Sequence, residues 1–148
     1  MPVERTESSL EFSNGSRRVL CVDDVEVILS LLTRILENNG YEVTTSTSAV
    51  RAVEMFRCGE YELAILDYEM PVMNGAELAA QLKMASPELK IILYTGAVYV
   101  DQHELRFIDQ LVHKSEGLAA LLTAIEVLLP GGRYFATEAN TAPAPARV

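Results

Sequence analysis

Three carboxylates directly follow two apolar stretches of this chain and could do chemistry together. Asp67 follows the apolar run 63–66, and the acidic pair Asp23 and Asp24 follows the apolar run 19–22. Carboxylates gathered in one place repel one another unless a cation neutralises them, and hard oxygen ligands suit Mg²⁺ or Mn²⁺. A carboxylate can also be the nucleophile that accepts a phosphoryl group. The acidic residues therefore indicate a divalent metal site, with Asp67 as a candidate phosphoryl acceptor.

Two further side chains could bind the oxygens of such a group. Thr95 ends the apolar stretch 90–95, and Lys114 ends the short stretch 111–114. A hydroxyl can donate a hydrogen bond to one oxygen, and an ammonium can place a positive charge on another. A single threonine or an acidic pair is often only a helix cap. The joint occurrence of these residues at strand ends favours a functional site.

The elements that must position these residues alternate along the chain. Short apolar or β-branched runs bounded by turn signals predict strands buried on both faces. Helical spacing of apolar residues and capping residues predict helices after the strands. The predicted strands are 19–22, 41–45, 63–66, 90–95 and 111–114. The predicted helices are one that ends at Asn39 and Gly40, and then 48–58, 76–84, 101–108 and 116–129.

The inward faces of the first two helices can also be predicted. Apolar residues at steps of three and one place Ile28, Leu31, Leu32, Ile35 and Leu36 on one face of the first helix. In the second helix, we expect Ala49, Val50, Val53 and Phe56 to face inward.

Strands alternating with helices imply an α/β fold, a doubly wound parallel sheet with helices on both faces. The connections are short, so right-handed crossovers are expected. The carboxyl ends of all strands then line one edge of the sheet, where such folds usually bind ligands. The three aspartates would lie on that edge, together with Thr95 and Lys114.

Composition limits the classes of function. The chain has 148 residues, enough for one domain, and its net charge of −9 argues against a general nucleic-acid binder. No apolar run approaches the roughly 18 residues that span a membrane, and the first residues do not read as a secretory signal. Cys21 and Cys58 have no metal-type spacing, so we expect free thiols in a reducing cytoplasm. We expect a flexible arm over 1–16, one domain over 17–130 and a flexible tail over 131–148.

Four sequence elements together resemble the receiver domain of bacterial two-component response regulators. The elements are Val22-Asp23-Asp24, the stretch 66–75 (Leu-Asp-Tyr-Glu-Met-Pro-Val-Met-Asn-Gly), Tyr94-Thr95-Gly96 and Val112-His113-Lys114. The resemblance covers roughly 17–129. It implies a flavodoxin-like sheet with strand order 2-1-3-4-5 and a switch point between strands 1 and 3.

The resemblance also implies a metal-dependent phosphoacceptor site. Asp67 would accept a phosphoryl group from a histidine kinase or a phosphotransfer protein and become a 4-aspartylphosphate. Asp24 would bind Mg²⁺ directly and Asp23 through a water, while Asp67 and the backbone carbonyl of Glu69 would complete the protein ligands.

Other positions would act on the phosphoryl group once it is bound. Thr95 and Lys114 would hold its oxygens, and Thr95 would move inward on activation. Glu69 and Ala97 would flank the path of the hydrolytic water. Ala97 has no group to orient that water and Glu69 adds negative charge, so we expect slow dephosphorylation.

Three features depart from the pattern of the family. Leu111 occupies the position of the usual switch aromatic. Ser115 follows Lys114 where the family has a cis-proline, and a non-proline cis bond would cost about 2.5–4 kcal/mol, so a reshaped trans turn is expected. The stretch between Thr95 and Lys114 is short, so the helix within it should be short or irregular.

The leading hypothesis for function is a single-domain phosphorylatable signalling module, not a conventional enzyme. Its output would be altered contact with a downstream protein, as a monomer or weak homodimer, without direct contact with nucleic acid or membrane. No output domain is recognisable after 129, so a stand-alone receiver is expected. One alternative is a pseudo-receiver scaffold that is not switched by phosphorylation. A less favoured alternative is an aspartyl-nucleophile phosphatase. Glu69 would fit the general acid of such an enzyme, but the further Thr and Gly positions of its motif are absent after Asp67.

Overall fold

The computed structural model describes residues 17–130, and these contain a single five-stranded sheet in which every strand pairing is parallel. The order is β2-β1-β3-β4-β5, which confirms the predicted order. The strands are β1 (Arg17–Val22), β2 (Tyr41–Ser46), β3 (Leu63–Leu66), β4 (Lys90–Thr95) and β5 (Gln110–His113). The predicted arm 1–16 and tail 131–148 lie outside the described residues.

The register brings the strand ends together at the carboxyl edge. Val22, the last residue of β1, lies opposite Leu66, the last residue of β3. The residues that follow these two, Asp23 and Asp67, are therefore neighbours. On the other side of β3, Thr95 at the end of β4 lies opposite His113 of β5.

Within residues 17–130, four α-helices cover the sheet on both faces, and helices on both faces were predicted. They are α1 (Glu26–Asn38), α2 (Ala49–Arg57), α3 (Gly75–Ala85) and α4 (Leu118–Leu128). Residues of α1 and α4 pack in one apolar core, and residues of α2 and α3 pack in the other. Because β1, β3 and β4 contribute side chains to both cores, these central strands are apolar on both faces.

Local capping explains where several helices begin and end. The Ser48 hydroxyl accepts from the Arg51 N–H at 3.1 Å at the start of α2. Asn74 and Glu77 form a reciprocal capping box at the start of α3. Gly40 follows α1 with a φ of 90°, a conformation that glycine adopts without a Cβ penalty.

The predicted inward faces of α1 and α2 each included one residue that is exposed and missed one that is buried. In α1 the buried side chains include Leu29, whereas Leu31 is 42 % exposed. In α2 Ala52 is buried and Val50 is 49 % exposed. Successive residues are about 100° apart around a helix, so Leu31 is turned away from Leu32. Val50 is turned away from Ala49 in the same way.

The predicted short or irregular helix over 101–108 is a 3₁₀-helix, η1 (Gln102–Phe107). A second 3₁₀ turn, η2 (Lys114–Glu116), directly follows β5. Gly117, with a φ of 92°, separates η2 from α4, so the last helix begins at Leu118 rather than at 116.

Cys21 is buried and Cys58 exposed, and both are free thiols, as expected. Burial, and secondarily the charge of Asp23, raises the pKa of Cys21 to about 12. Between residues 17 and 130, none of the helices has the length and apolar character needed to cross a bilayer.

Candidate functional site

The three predicted aspartates meet at the carboxyl edge of the sheet. Carboxylate oxygens of Asp23, Asp24 and Asp67 all lie within 4.8 Å of one another. Asp23 is 3 % exposed and Asp67 is 7 % exposed, whereas Asp24 is open to solvent. Two buried carboxylates next to each other are unfavourable unless positive charge compensates them.

Lys114 supplies part of that positive charge. Its Nζ lies 2.8 Å from Oδ2 of Asp23 and 3.7 Å from Oδ2 of Asp67. Burial alone would lower the pKa of Lys114. The hydrogen bond with Asp23 and the charges of Asp67 and Asp23 outweigh burial, and the pKa is raised overall. Lys114 is therefore held as a cation between the two buried aspartates.

Asp67 is fixed through its backbone and one carboxylate oxygen. Its N–H donates to the Val22 carbonyl at 2.9 Å, and the Tyr68 N–H donates to its Oδ1 at 2.9 Å. Burial and then the neighbouring Asp23 raise the pKa of Asp67. Lys114, a hydrogen bond with Thr95 and the Tyr68 N–H oppose this increase but do not cancel it. Asp67 is thus an electrostatically destabilised carboxylate whose Oδ2 faces the lysine.

Thr95 lies on the same edge and is fully buried. Its Oγ1 accepts from the N–H of Ala97 at 3.0 Å, a contact that closes the turn after β4. Ala97 is 7 % exposed, and its methyl group packs in the α2–α3 core. The structure therefore brings Thr95 to Asp67, whereas the Ala97 methyl group packs in the core.

Gly75, at the start of α3, lies very close to the backbone of Asp67. A Cβ at Gly75 would lie 2.1 Å from the backbone oxygen of Asp67, a distance that no side chain can occupy. The Gly75 N–H instead donates to the Tyr68 carbonyl at 2.9 Å. In the loop between Asp67 and Gly75, Glu69 is exposed, and Val72 has a φ of 73°, which is strained for a β-branched residue. Such strain often occurs at functional sites.

The sequence departs from the family pattern at Leu111, which lies in β5, and at Ser115, which lies in the η2 turn. Leu111 is partly buried and packs against the α2–α3 core. Residues 17–130 contain no cis peptide bond, so the Lys114–Ser115 bond is trans, as expected. This bond lies within η2, whose first residue, Lys114, reaches Asp23 and Asp67 with its ammonium.

Tyr68 makes a contact that the sequence analysis missed. Its hydroxyl donates to a carboxylate oxygen of Glu104 in η1. This hydrogen bond, with smaller contributions from burial and nearby carboxylates, raises the pKa of Tyr68 to about 12. The two residues are 36 positions apart, and no local pattern links them.

The donor set fits a hard divalent cation. Three carboxylates and one ammonium leave two negative charges at the cluster when all four groups are ionised. A divalent ion would balance these charges, and carboxylate and carbonyl oxygens are its preferred ligands. A groove of about 700 Å³ lies elsewhere, between α1 and α2 beside β2, and includes none of the three aspartates.

A doubly wound parallel sheet with an acidic cluster, a buried threonine and a lysine at its carboxyl edge defines the class of receiver domains. Residues 19–126 match the family model of the response regulator receiver domain. The chain therefore belongs to the response regulator receiver domain family.

Characterised relatives include proteins of different architecture. The chain is 32 % identical over 104 residues to the autoinducer 1 sensor kinase/phosphatase LuxN of Vibrio campbellii, covering 70 % of this chain and 12 % of LuxN. It is 31 % identical over 115 residues to the response regulator MprA of Mycobacterium leprae, covering 76 % of this chain and 50 % of MprA. The chain thus spans half or less of the length of these relatives.

Solved structures of similar fold include a response regulator in complex with Mg(2+)-BeF. The response regulator TrrA of Thermotoga maritima in complex with Mg(2+)-BeF is 34 % identical, with a TM-score of 0.72, and the match covers 76 % of this chain and 98 % of TrrA. TrrA in complex with the histidine kinase ThkA is 35 % identical, with a TM-score of 0.70 and the same coverage.

Proposed function

We propose that this domain accepts a phosphoryl group on Asp67 from a histidine kinase or a phosphotransfer protein and signals through altered contacts with a downstream protein. The observation that carries this proposal is the position of the Asp67 carboxylate, which lies within 4.8 Å of two other carboxylates and 3.7 Å from the Lys114 ammonium. The similarity to TrrA supports it, because TrrA forms complexes both with Mg(2+)-BeF and with a histidine kinase.

The proposed transfer is a substitution at phosphorus. A carboxylate oxygen of Asp67 attacks the phosphorus of a phosphohistidine, and the phosphorus–nitrogen bond breaks as the oxygen–phosphorus bond forms. The departing imidazole nitrogen keeps the electron pair, and the product on this chain is an acyl phosphate. Oδ2 is the better-placed nucleophile, because Oδ1 already accepts from the Tyr68 N–H.

Mg²⁺, or Mn²⁺ in its place, would be held by Asp24, Asp67 and the backbone carbonyl of Glu69, with Asp23 acting through a water. The ion would supply positive charge against the oxygens of the phosphoryl group.

Lys114 and Thr95 would hold the phosphoryl oxygens after transfer. Lys114 is already a cation between Asp23 and Asp67, so an incoming anion at Asp67 competes with Asp23 for the same ammonium. Thr95 would move inward and exchange its contact with the Ala97 N–H for one with the phosphoryl group. Glu69 and Ala97 would set the rate at which the phosphoryl group is hydrolysed, and this loss would be slow. The proposed function includes no turnover of external substrates.

The function further implies a cytoplasmic location, where kinase domains meet their receivers.

A second candidate function is a scaffold that binds partners without being switched. The observation that favours it is the absence of an aromatic at Leu111, together with the closer contact of Lys114 to Asp23 than to Asp67. The two candidates differ in whether Asp67 is modified.

Intact-mass measurement after incubation with Mg²⁺ and a small acyl phosphate distinguishes them. The wild type should gain one phosphoryl group, and Asp67→Asn should gain none. Asp101→Asn is a matched control, because Asp101 is an exposed aspartate whose capping role asparagine can keep. No adduct in the wild type, and no binding of beryllofluoride, would favour the scaffold.

A further inference from the structure

Tyr68 connects the acceptor residue to a distant surface element by two contacts. Its backbone N–H donates to Oδ1 of Asp67 at 2.9 Å, and its side-chain hydroxyl donates to Glu104 in η1. Its carbonyl accepts from the Gly75 N–H at 2.9 Å. The residue next to the acceptor is thus held on three sides, by Asp67, by the start of α3 and by η1.

The η1 segment otherwise has few rigid attachments. Neither of the 3₁₀-helices within residues 17–130 has a fully buried side chain, and η1 contacts the core through the partly buried Leu105. Its start is capped by Asp101, whose Oδ1 accepts from the His103 N–H at 2.9 Å. The hydrogen bond from the partly buried Tyr68 to Glu104 adds a polar contact to this apolar packing of η1.

Tyr68 supplies an aromatic ring beside η1, whereas the family's usual aromatic position in β5 is occupied by Leu111. Tyr68 and Leu111 are both partly buried and pack against the same α2–α3 core. Leu111 has no polar group with which to report a change at the site. Tyr68 has one, a hydroxyl that donates to Glu104 in η1.

We propose that Tyr68 is a positioning residue that links Asp67 to η1 through its hydrogen bond with Glu104, and that this link carries the state of Asp67 to the surface of η1. This inference rests on the proposed function. A tetrahedral group on Asp67 changes the position and charge of the carboxylate to which the Tyr68 N–H is bonded. Any shift of the Tyr68 backbone moves its ring, and the hydroxyl transmits that movement to Glu104.

The structure makes the link specific to one hydroxyl and one carboxylate. Tyr68→Phe keeps the ring and removes the donor, and Glu104→Ala removes the acceptor. Tyr99→Phe is the matched control, because Tyr99 is 74 % exposed in the turn that precedes η1. Glu104→Gln keeps an acceptor of the same shape but removes its charge, so the link should be weaker but not lost.

The test is amide hydrogen exchange of the full chain, with and without Mg²⁺ and beryllofluoride. In the wild type and in Tyr99→Phe, binding of the analogue should change exchange across 102–107. In Tyr68→Phe and Glu104→Ala, exchange there should be faster without the analogue, by about tenfold for loss of a hydrogen bond to a charged group. The response of 102–107 to the analogue should shrink by about fivefold or more, the size of a typical coupling. Glu104→Ala should still bind the analogue, with an affinity within about fivefold of the wild type, because coupling between two sites is reciprocal.

The outcomes separate the link from the function on which it rests. An unchanged response of 102–107 in both variants, with the analogue bound, would overturn the link and leave the phosphoacceptor function intact. A wild type that binds the analogue without any response in 102–107 would overturn the link as well. A wild type that binds no analogue would overturn the proposed function, and the link with it.

Discussion

Lys114 lies closer to Asp23 than to Asp67, at 2.8 Å against 3.7 Å. The ammonium of the strand-5 lysine is therefore a structural counter-ion to a buried carboxylate before any phosphoryl group is present. Lys114 therefore has a role in stability that is separate from its proposed role in binding phosphate.

Replacing Lys114 with glutamine should destabilise the domain. The substitution leaves the Asp23 carboxylate buried without its charged partner, and we expect the free energy of unfolding to fall by about 2–3 kcal/mol. Urea denaturation measures the difference. Lys90→Gln, at the exposed start of β4, should change it by less than about 0.5 kcal/mol. Equal stability of the two variants would show that Lys114 does not neutralise Asp23.

Asp67→Asn should stabilise the domain at neutral pH in the absence of divalent metal. Burial and the charge of Asp23 raise the pKa of Asp67 in the folded state above its ordinary value of 3.8, so folding favours the neutral carboxyl. The stability that Asp67 contributes is then present at low pH and is lost as pH rises through the folded pKa. Urea denaturation in a chelator should show a gain of about 1 kcal/mol or more for the asparagine variant at pH 7. The gain should shrink towards pH 3, and a gain that is independent of pH would contradict this account.

Gly75→Ala should disrupt the loop that carries the site. The new methyl group would overlap the backbone oxygen of Asp67 and approach the side chain of Leu93, and backbone cannot yield as a flexible side chain can. We expect a loss of about 2–4 kcal/mol in the free energy of unfolding. Gly96→Ala is the matched control, since a Cβ there would be 4.0 Å from its nearest neighbour, in ordinary contact with Lys114. Thermal unfolding that affects both variants alike would contradict the close approach at Gly75.

The phosphorylated domain should lose its phosphate over hours in Mg²⁺. Ala97 is buried and has no group to orient a water, and the exposed Glu69 adds negative charge near the site. Loss can be followed as the decay of the phosphorylated mass after removal of the donor. Glu69→Asn, which replaces the charge with an amide that can orient water, should speed decay by about tenfold. Decay of the wild type within seconds would dispose of this prediction.

The sheet and the acidic edge could be predicted because each depends on local signals. Short apolar runs that end at Asp23, Asp67 and Thr95 indicate buried parallel strands, and the carboxyl ends of such strands share one edge. Side-chain types at those ends then limit the chemistry.

Contacts between distant segments could not be predicted in the same way. Nothing in the sequence near Tyr68 indicates that its hydroxyl reaches Glu104, because the contact depends on how η1 packs beside α3. The positive φ of Val72 is likewise set by the loop as a whole, since a β-branched residue gives no local signal for that conformation. Helical faces fall between these cases: the period is readable, but one apolar residue at the margin of a stripe, such as Leu31, is easily placed on the wrong side.

Peptide mapping can identify which aspartate carries the phosphoryl group. The full chain is incubated with Mg²⁺ and a small acyl phosphate, reduced with borohydride, which converts an aspartyl phosphate to homoserine, and digested for peptide mass analysis. We expect homoserine at position 67, dependent on Mg²⁺, with Asp23 and Asp24 unmodified. Homoserine at another aspartate, or none at all in the wild type, would contradict it.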